Sequence, residues 1–290
     1  MRVFLLFLGL LVILFVPALW ADDNLPVCSS DLPACEMPQA TEDVKLNTSY
    51  FKGYIDDTGK ILTSPLRWDK REWSTAAIVL SMTAGLYAYD QDLKDWVQRQ
   101  RSRTTDNIAN IFTPFGDGLY TLPAAGLIYL YGAVQESEKA KRIGLLGAES
   151  MILSGAFTGV IKIAGHRHRP YTGDQYNKWD GPGTSTDNLS FSSLHATTAF
   201  ALATVVAGES DNPYVGPTAY GIATLVALSR MNDNEHWSSD VFLGAAVGYF
   251  TAQAVLRYHE KKNRSFALLP DINGNSNGGS SYGLLMVYRF

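Results

Sequence analysis

Ser229-Arg230-Met231-Asn232-Asp233-Asn234-Glu235-His236-Trp237-Ser238-Ser239-Asp240 decides how the chain is read. It sets an arginine, a histidine and an aspartate in fixed order inside an otherwise apolar region. His236 and Asp240 are four residues apart, which on a helix puts them on one face, one turn from each other. A carboxylate so placed accepts the Nδ1 hydrogen of the imidazole, fixes its tautomer and leaves Nε2 free to attack. Arg230 adds a permanently charged planar fork suited to an oxyanion, phosphate above all.

Two earlier stretches complete the set. Lys162-Ile-Ala-Gly-His-Arg-His-Arg169-Pro170 carries two cations seven residues apart, two helical turns, and so predicts a shared face. Ser192-Ser193-Leu194-His195 opens another apolar segment and places a hydroxyl, backbone N–H groups and a second histidine at a helix start. Each residue alone has an ordinary structural reading, as a helix-end cation or a hydrogen-bonded histidine. Jointly, in this order and spacing, they read as a phosphate site.

Lys-x6-Arg-Pro, then Ser-x-His, then Ser-Arg-x5-His-x3-Asp resembles the three-part signature of the type-2 phosphatidic acid phosphatase superfamily. That superfamily also holds the bacterial class A acid phosphatases and the vanadium haloperoxidases. The resemblance covers roughly residues 70–257, and three ordered motifs are far more specific than one short pattern. The first and third parts match at every position. In the second, Ser192 and Leu194 stand where the family usually has proline and glycine. Leucine there keeps the N–H but adds bulk, which implies reduced turnover, a narrower pocket or an apolar wall for a lipid substrate.

The resemblance implies a phosphatase acting on phosphate esters or pyrophosphates, above all lipid phosphates of the cell envelope. Lys162, Arg169, Arg230, Ser193 and the N–H of Leu194 would hold the phosphate oxygens. His236 would attack phosphorus and form a phosphohistidine, steadied by Asp240. His195 would protonate the leaving oxygen and then activate water. No metal or cofactor is expected, because fixed cations neutralise the phosphate. Two other classes remain open: a vanadate-dependent haloperoxidase, and a non-catalytic anionic-lipid-binding protein in which Leu194 has abolished turnover.

Residues 1–21 read as a secretory signal, with Arg2, an apolar run from Val3 to Val16, and Ala21 before Asp22-Asp23. An uncleaved anchor is the competing reading. Export to the periplasm or cell envelope follows, with an integral inner-membrane protein as the alternative. Cys28 and Cys35 are the sole cysteines and in an exported protein would close a small disulfide. Net charge is −4, which gives no reason to expect nucleic acid or a polybasic membrane anchor. Nothing in the sequence signals a particular oligomeric state.

Residues 22–70 read as an irregular N-terminal arm and 71–262 as an all-α phosphatase domain. Its six-helix core is drawn from the apolar blocks Ser74–Ala88, Leu119–Tyr131, Ile143–Ile163, His195–Ala207, Ala219–Leu228 and Trp237–Tyr258. The segment 91–108 reads as a solvated connector, and Asp174–Asn188 as a loop where a substrate-shaping lid would sit. Residues 263–290 alternate in the manner of a β-hairpin tail. Two blocks fall short of the ~20 residues a membrane span needs and two others are interrupted by charged or polar residues, which favours a soluble or peripherally attached domain. Membrane association stays open.

Overall fold

All six apolar blocks are helical. In the computed structural model, which describes residues 48–262, 266–274 and 280–288, nine helices are present among the described residues. They are α1 (Thr48–Leu62), α2 (Lys70–Ala88), α3 (Asp90–Gln100), α4 (Arg103–Phe112), α5 (Gly118–Val134), α6 (Glu138–Gly165), α7 (Leu194–Gly208), α8 (Val215–Asn232) and α9 (Ser238–Lys262). Helix starts follow local chemistry. Asp69 and Glu72 form a capping box at α2, Ser102 and Thr105 do so at α4, and Asp117, Ser137 and Ser193 cap α5, α6 and α7. Residues 1–21, expected as a signal, and both cysteines lie outside the described residues.

Two expectations are corrected. The arm expected to be irregular from 22 to 70 is helical over Thr48–Leu62, where Tyr54, Thr58 and Ile61 fall at helical spacing and Ile61 is buried against the core. The connector expected at 91–108 is α3 and the start of α4. Leu93 is buried, Val97 packs on the core, and the Gln98 amide donates to the carbonyls of Met231 and Asn232. A short amphipathic pattern in a strongly charged stretch hides such helices.

Helix α7 is the centre of the body and packs on α6, α8 and α9. One apolar cluster joins Phe200 of α7 to Leu93, Val226, Val241 and Phe242; a second joins Ala201 and Val205 of α7 to Leu146, Met151, Leu153 and Val255. A helix buried on both sides has no polar face, and the LHATTAFALATVVAG sequence of α7 meets that demand. Each fully buried Phe or Val there contributes about 1.5–3 kcal/mol. Close approach of α9 depends on glycine. A Cβ on Gly244 would lie 2.4 Å from the Ser193 carbonyl oxygen, and one on Gly248 would lie 2.1 Å from that of Thr197. Thr197 Oγ1 uses the gap to donate to the Gly244 carbonyl at 3.0 Å.

Helices α6 and α9 are long and apolar enough to cross a membrane by length and composition, although more than half of each apolar window is buried inside the helical body. Large apolar side chains are exposed on α2, α5 and α6, among them Ile78, Leu80, Leu119, Leu127, Leu130, Val160 and Ile163. At the C-terminus the backbone of β1 (Phe266–Gly274) pairs antiparallel with β2 (Ser280–Tyr288), Phe266 opposite Tyr288.

Candidate active site

Lys162 lies in the last turn of α6, and His166 ends that helix in the left-handed region at φ 49°. Pro170 then holds Arg169 extended, at φ −78° and ψ 153°. Lys162 and Arg169 therefore do not share a helical face, contrary to their spacing; the second lies past the helix end. They still meet the same site, because the chain turns back after α6. Lys162 Nζ donates to the carbonyls of Leu189 at 2.5 Å and Ser190 at 3.3 Å. Arg169 Nε donates to the Thr186 carbonyl, and its guanidinium pairs with Glu235.

Ser193 caps α7, its Oγ accepting from the Ala196 N–H at 3.5 Å, and its own N–H donates to the Asp240 carbonyl at 2.9 Å. The N–H groups of Leu194 and His195 open the helix, where intrahelical acceptors run out. Leu194 is 42 % exposed, and its Cδ1 lies beside Gly155 of α6.

His236 and Asp240 do not share a helix. Helix α8 stops at Asn232, Asn234 takes φ 61°, and His236 lies in the turn before α9. Asp240 caps α9 instead, its Oδ2 accepting from the Trp237 N–H at 2.9 Å. His236 Nδ1 lies 3.8 Å from that Oδ2, too far for a hydrogen bond. Ser190 fills the space between them. Its hydroxyl donates to Asp240 Oδ2 at 2.5 Å and lies 3.5 Å from His236 Nδ1.

Arg230 Nη2 donates to Thr113 Oγ1 at 3.1 Å and pairs with Asp233. Its Nε, and the Ser192 hydroxyl, are buried with no hydrogen-bond partner among the described residues. A buried unpaired guanidinium nitrogen is costly, so a bound anion would satisfy it.

Three residues of this region escaped sequence reasoning: Ser190, Arg167 and Asp90. Arg167 is fully buried and donates to Asp90 Oδ2 at 2.8 Å, Asp240 Oδ1 at 2.6 Å, Ser239 Oγ at 2.8 Å and the Tyr176 carbonyl. Tyr87, Trp179 and Trp237 surround its guanidinium at 4.8–5.3 Å. The one available signal for Arg167 was its place inside the quoted Lys162–Pro170 stretch. His166 and His168 pin the following loop. His168 bridges Asp174 and Asp180 at 2.7 Å each, and His166 Nε2 accepts from the Ser185 N–H at 3.1 Å.

Electrostatics tie the dispersed residues into one site. Burial, with the added positive charge of Arg230, brings the His195 imidazole down to about 4. Burial and Lys162 hold His236 well below its usual value, against the opposite pull of Asp240. Burial and Arg169 lower the Lys162 ammonium to about 7. Burial alone would raise Asp240, but Arg167 and its hydrogen bonds keep it well below the usual carboxylate range. Burial and neighbouring cations together favour the neutral forms of both histidines until negative charge arrives.

The fold and the site define an all-helical domain with cations and two histidines gathered at one helix start. Residues 144–264 match the model of the PAP2 superfamily. Over 108 residues the chain is 34% identical to the lipid A 1-phosphatase of Porphyromonas gingivalis, a match of 37% of this chain and 21% of that protein. The chain thus spans about a fifth of that curated relative. A transmembrane PAP2-type phosphatidylglycerolphosphate phosphatase from Bacillus subtilis shares the fold, with TM-score 0.50, 18% identity, 65% of this chain and 95% of that one. Aquifex aeolicus LpxE gives TM-score 0.46 and 20% identity over 58% of this chain and 95% of that one.

Proposed function

We propose that the protein is a phosphatase of lipid phosphates in the cell envelope, working through a phosphohistidine on His236. The buried, unpartnered Arg230 Nε beside the cations and the start of α7 is the observation that carries this reading. Lys162, Arg169, Arg230, Ser193 and the N–H of Leu194 hold the non-bridging oxygens. His236 Nε2 attacks phosphorus and the ester P–O bond breaks. His195, protonated once the phosphate's charge is present, gives its proton to the leaving oxygen. Water then attacks the phosphohistidine with His195 as base, releasing phosphate and restoring His236. Asp240 stabilises the positive charge that forms on His236, with the Ser190 hydroxyl linking the two.

The lipid A 1-phosphatase relative supports a lipid substrate, and the apolar side chains exposed on α2, α5 and α6 support membrane association, with that face against lipid. Residues 1–21 as a signal, 22–70 as an arm, 71–262 as the catalytic domain around a six-helix core, and 263–290 as a hairpin tail complete the proposal. The test is phosphate release from phosphatidic acid and from a soluble aryl phosphate with EDTA present. Turnover lost in His236→Ala supports the reading; EDTA-resistant turnover that survives the substitution contradicts it.

A further inference from the structure

Asp90 precedes the segment that matches the superfamily model, yet its carboxylate is built into the site. It is fully buried at the first residue of α3. Its Oδ1 accepts from the Ser238 hydroxyl at 2.6 Å and from the Ser239 N–H at 2.9 Å. Its Oδ2 accepts from the Ser239 hydroxyl at 2.5 Å and from Arg167 Nη2 at 2.8 Å. Asp90 thus grips both the first turn of α9, which carries Asp240, and the guanidinium that binds Asp240.

Two buried carboxylates share one guanidinium here, and such a cluster is a costly way to gain stability. Its geometric effect is specific. With Nη2 committed to Asp90, Arg167 offers only Nη1 to Asp240, and takes only Oδ1. Asp240 Oδ2 is left for Ser190, the Trp237 N–H and the His236 side of the site. Freed from Asp90, the guanidinium would favour a two-pronged grip on both oxygens of Asp240, which draws Oδ2 away from His236. We infer that Asp90, acting through Arg167, is a positioning residue that fixes the Asp240 carboxylate and hence the orientation of His236. The inference rests on the phosphatase reading of His236.

Asp90→Asn keeps the size of the side chain and loses its charge. The expected result is a kcat for phosphatidic acid about 10- to 100-fold lower, the range for losing a group that orients a catalytic one, with KM within about threefold. The pH profile of kcat should shift as well, since the partner of the His236 imidazolium has moved. Activity is expressed per folded molecule, with the folded fraction taken from thermal melts. A purely structural role would lower the melting temperature and leave kcat and its pH profile unchanged, which would overturn the inference. Should Asp90→Asn fail to fold, Ser239→Ala decides by the same split, since it removes the hydroxyl bridging Arg167 and Asp90 while stranding no charge. Unchanged kcat there overturns the inference. An inactive wild-type enzyme would defeat both this inference and the phosphatase reading, whereas an active wild type with an unaffected variant defeats this one alone.

Discussion

Leu194 stands at the helix start where the resemblance anticipates glycine; it is exposed, and its Cδ1 lies beside Gly155 of α6. Its effect should therefore fall on what lies beyond the phosphate. Leu194→Gly is expected to lower kcat/KM for a long-chain lipid phosphate relative to a soluble aryl phosphate by about threefold or more, the worth of one lost apolar contact. An unchanged ratio would show that Leu194 does not meet the substrate. The neutral histidines give a second prediction. A bound dianion favours the charged forms of His195 and Lys162, so binding of sulfate, itself a dianion throughout, should take up protons between about pH 4 and 7. Calorimetry in two buffers of different ionisation enthalpy reads that uptake, and buffer-independent heats would contradict it. In the free protein the sign reverses. Unfolding returns His195 to about 6.5, so stability should be lost as pH falls below that value toward 4. At this scale Lys162, Arg169, His195, Arg230, His236 and Asp240 were legible from order and spacing. Ser190, Arg167 and Asp90 were not, because Asp90 and Arg167 meet across 77 residues of sequence and no local pattern marks a buried arginine.

Helix ends, more than helix faces, build the site. Spacing placed Lys162 with Arg169, and His236 with Asp240, on shared faces, and both pairs straddle a helix terminus instead. His166 ends α6, while Asp233 and Asn234 end α8, and a regular period carries no information past such breaks. The six apolar helices were legible because their blocks are predominantly apolar. Helices α1, α3 and α4 were not, being rich in polar residues. The contact of α7 with α9 yields a paired prediction. Gly248→Ala drives a methyl into the Thr197 carbonyl and should cost about 1–3 kcal/mol, with most activity kept in the folded fraction. Gly244→Ala meets Ser193 itself and should lower both melting temperature and kcat. Equal effects of the two on kcat would mean that the start of α7 does not set the geometry of the site.

For the molecule as a whole, the apolar surface of α2, α5 and α6 is the feature a water-surrounded domain has least reason to keep. Replacing Leu127 and Leu130, both exposed on α5, with lysine should shift the protein from the membrane fraction toward the soluble fraction. It should also reduce activity on vesicle-borne phosphatidic acid more than on a soluble aryl phosphate. Unchanged partition would move the lipid contact to another face. Covalent chemistry at His236 is the core of the proposed reaction. The most direct measurement is rapid quenching of the wild-type enzyme turning over a phosphate-labelled phosphatidic acid in EDTA, followed by mapping of the label. The expected result is an acid-labile, alkali-stable phosphoryl group on His236, absent from His236→Ala. Label on another residue, or steady turnover with no labelled protein at any quench time, would contradict it.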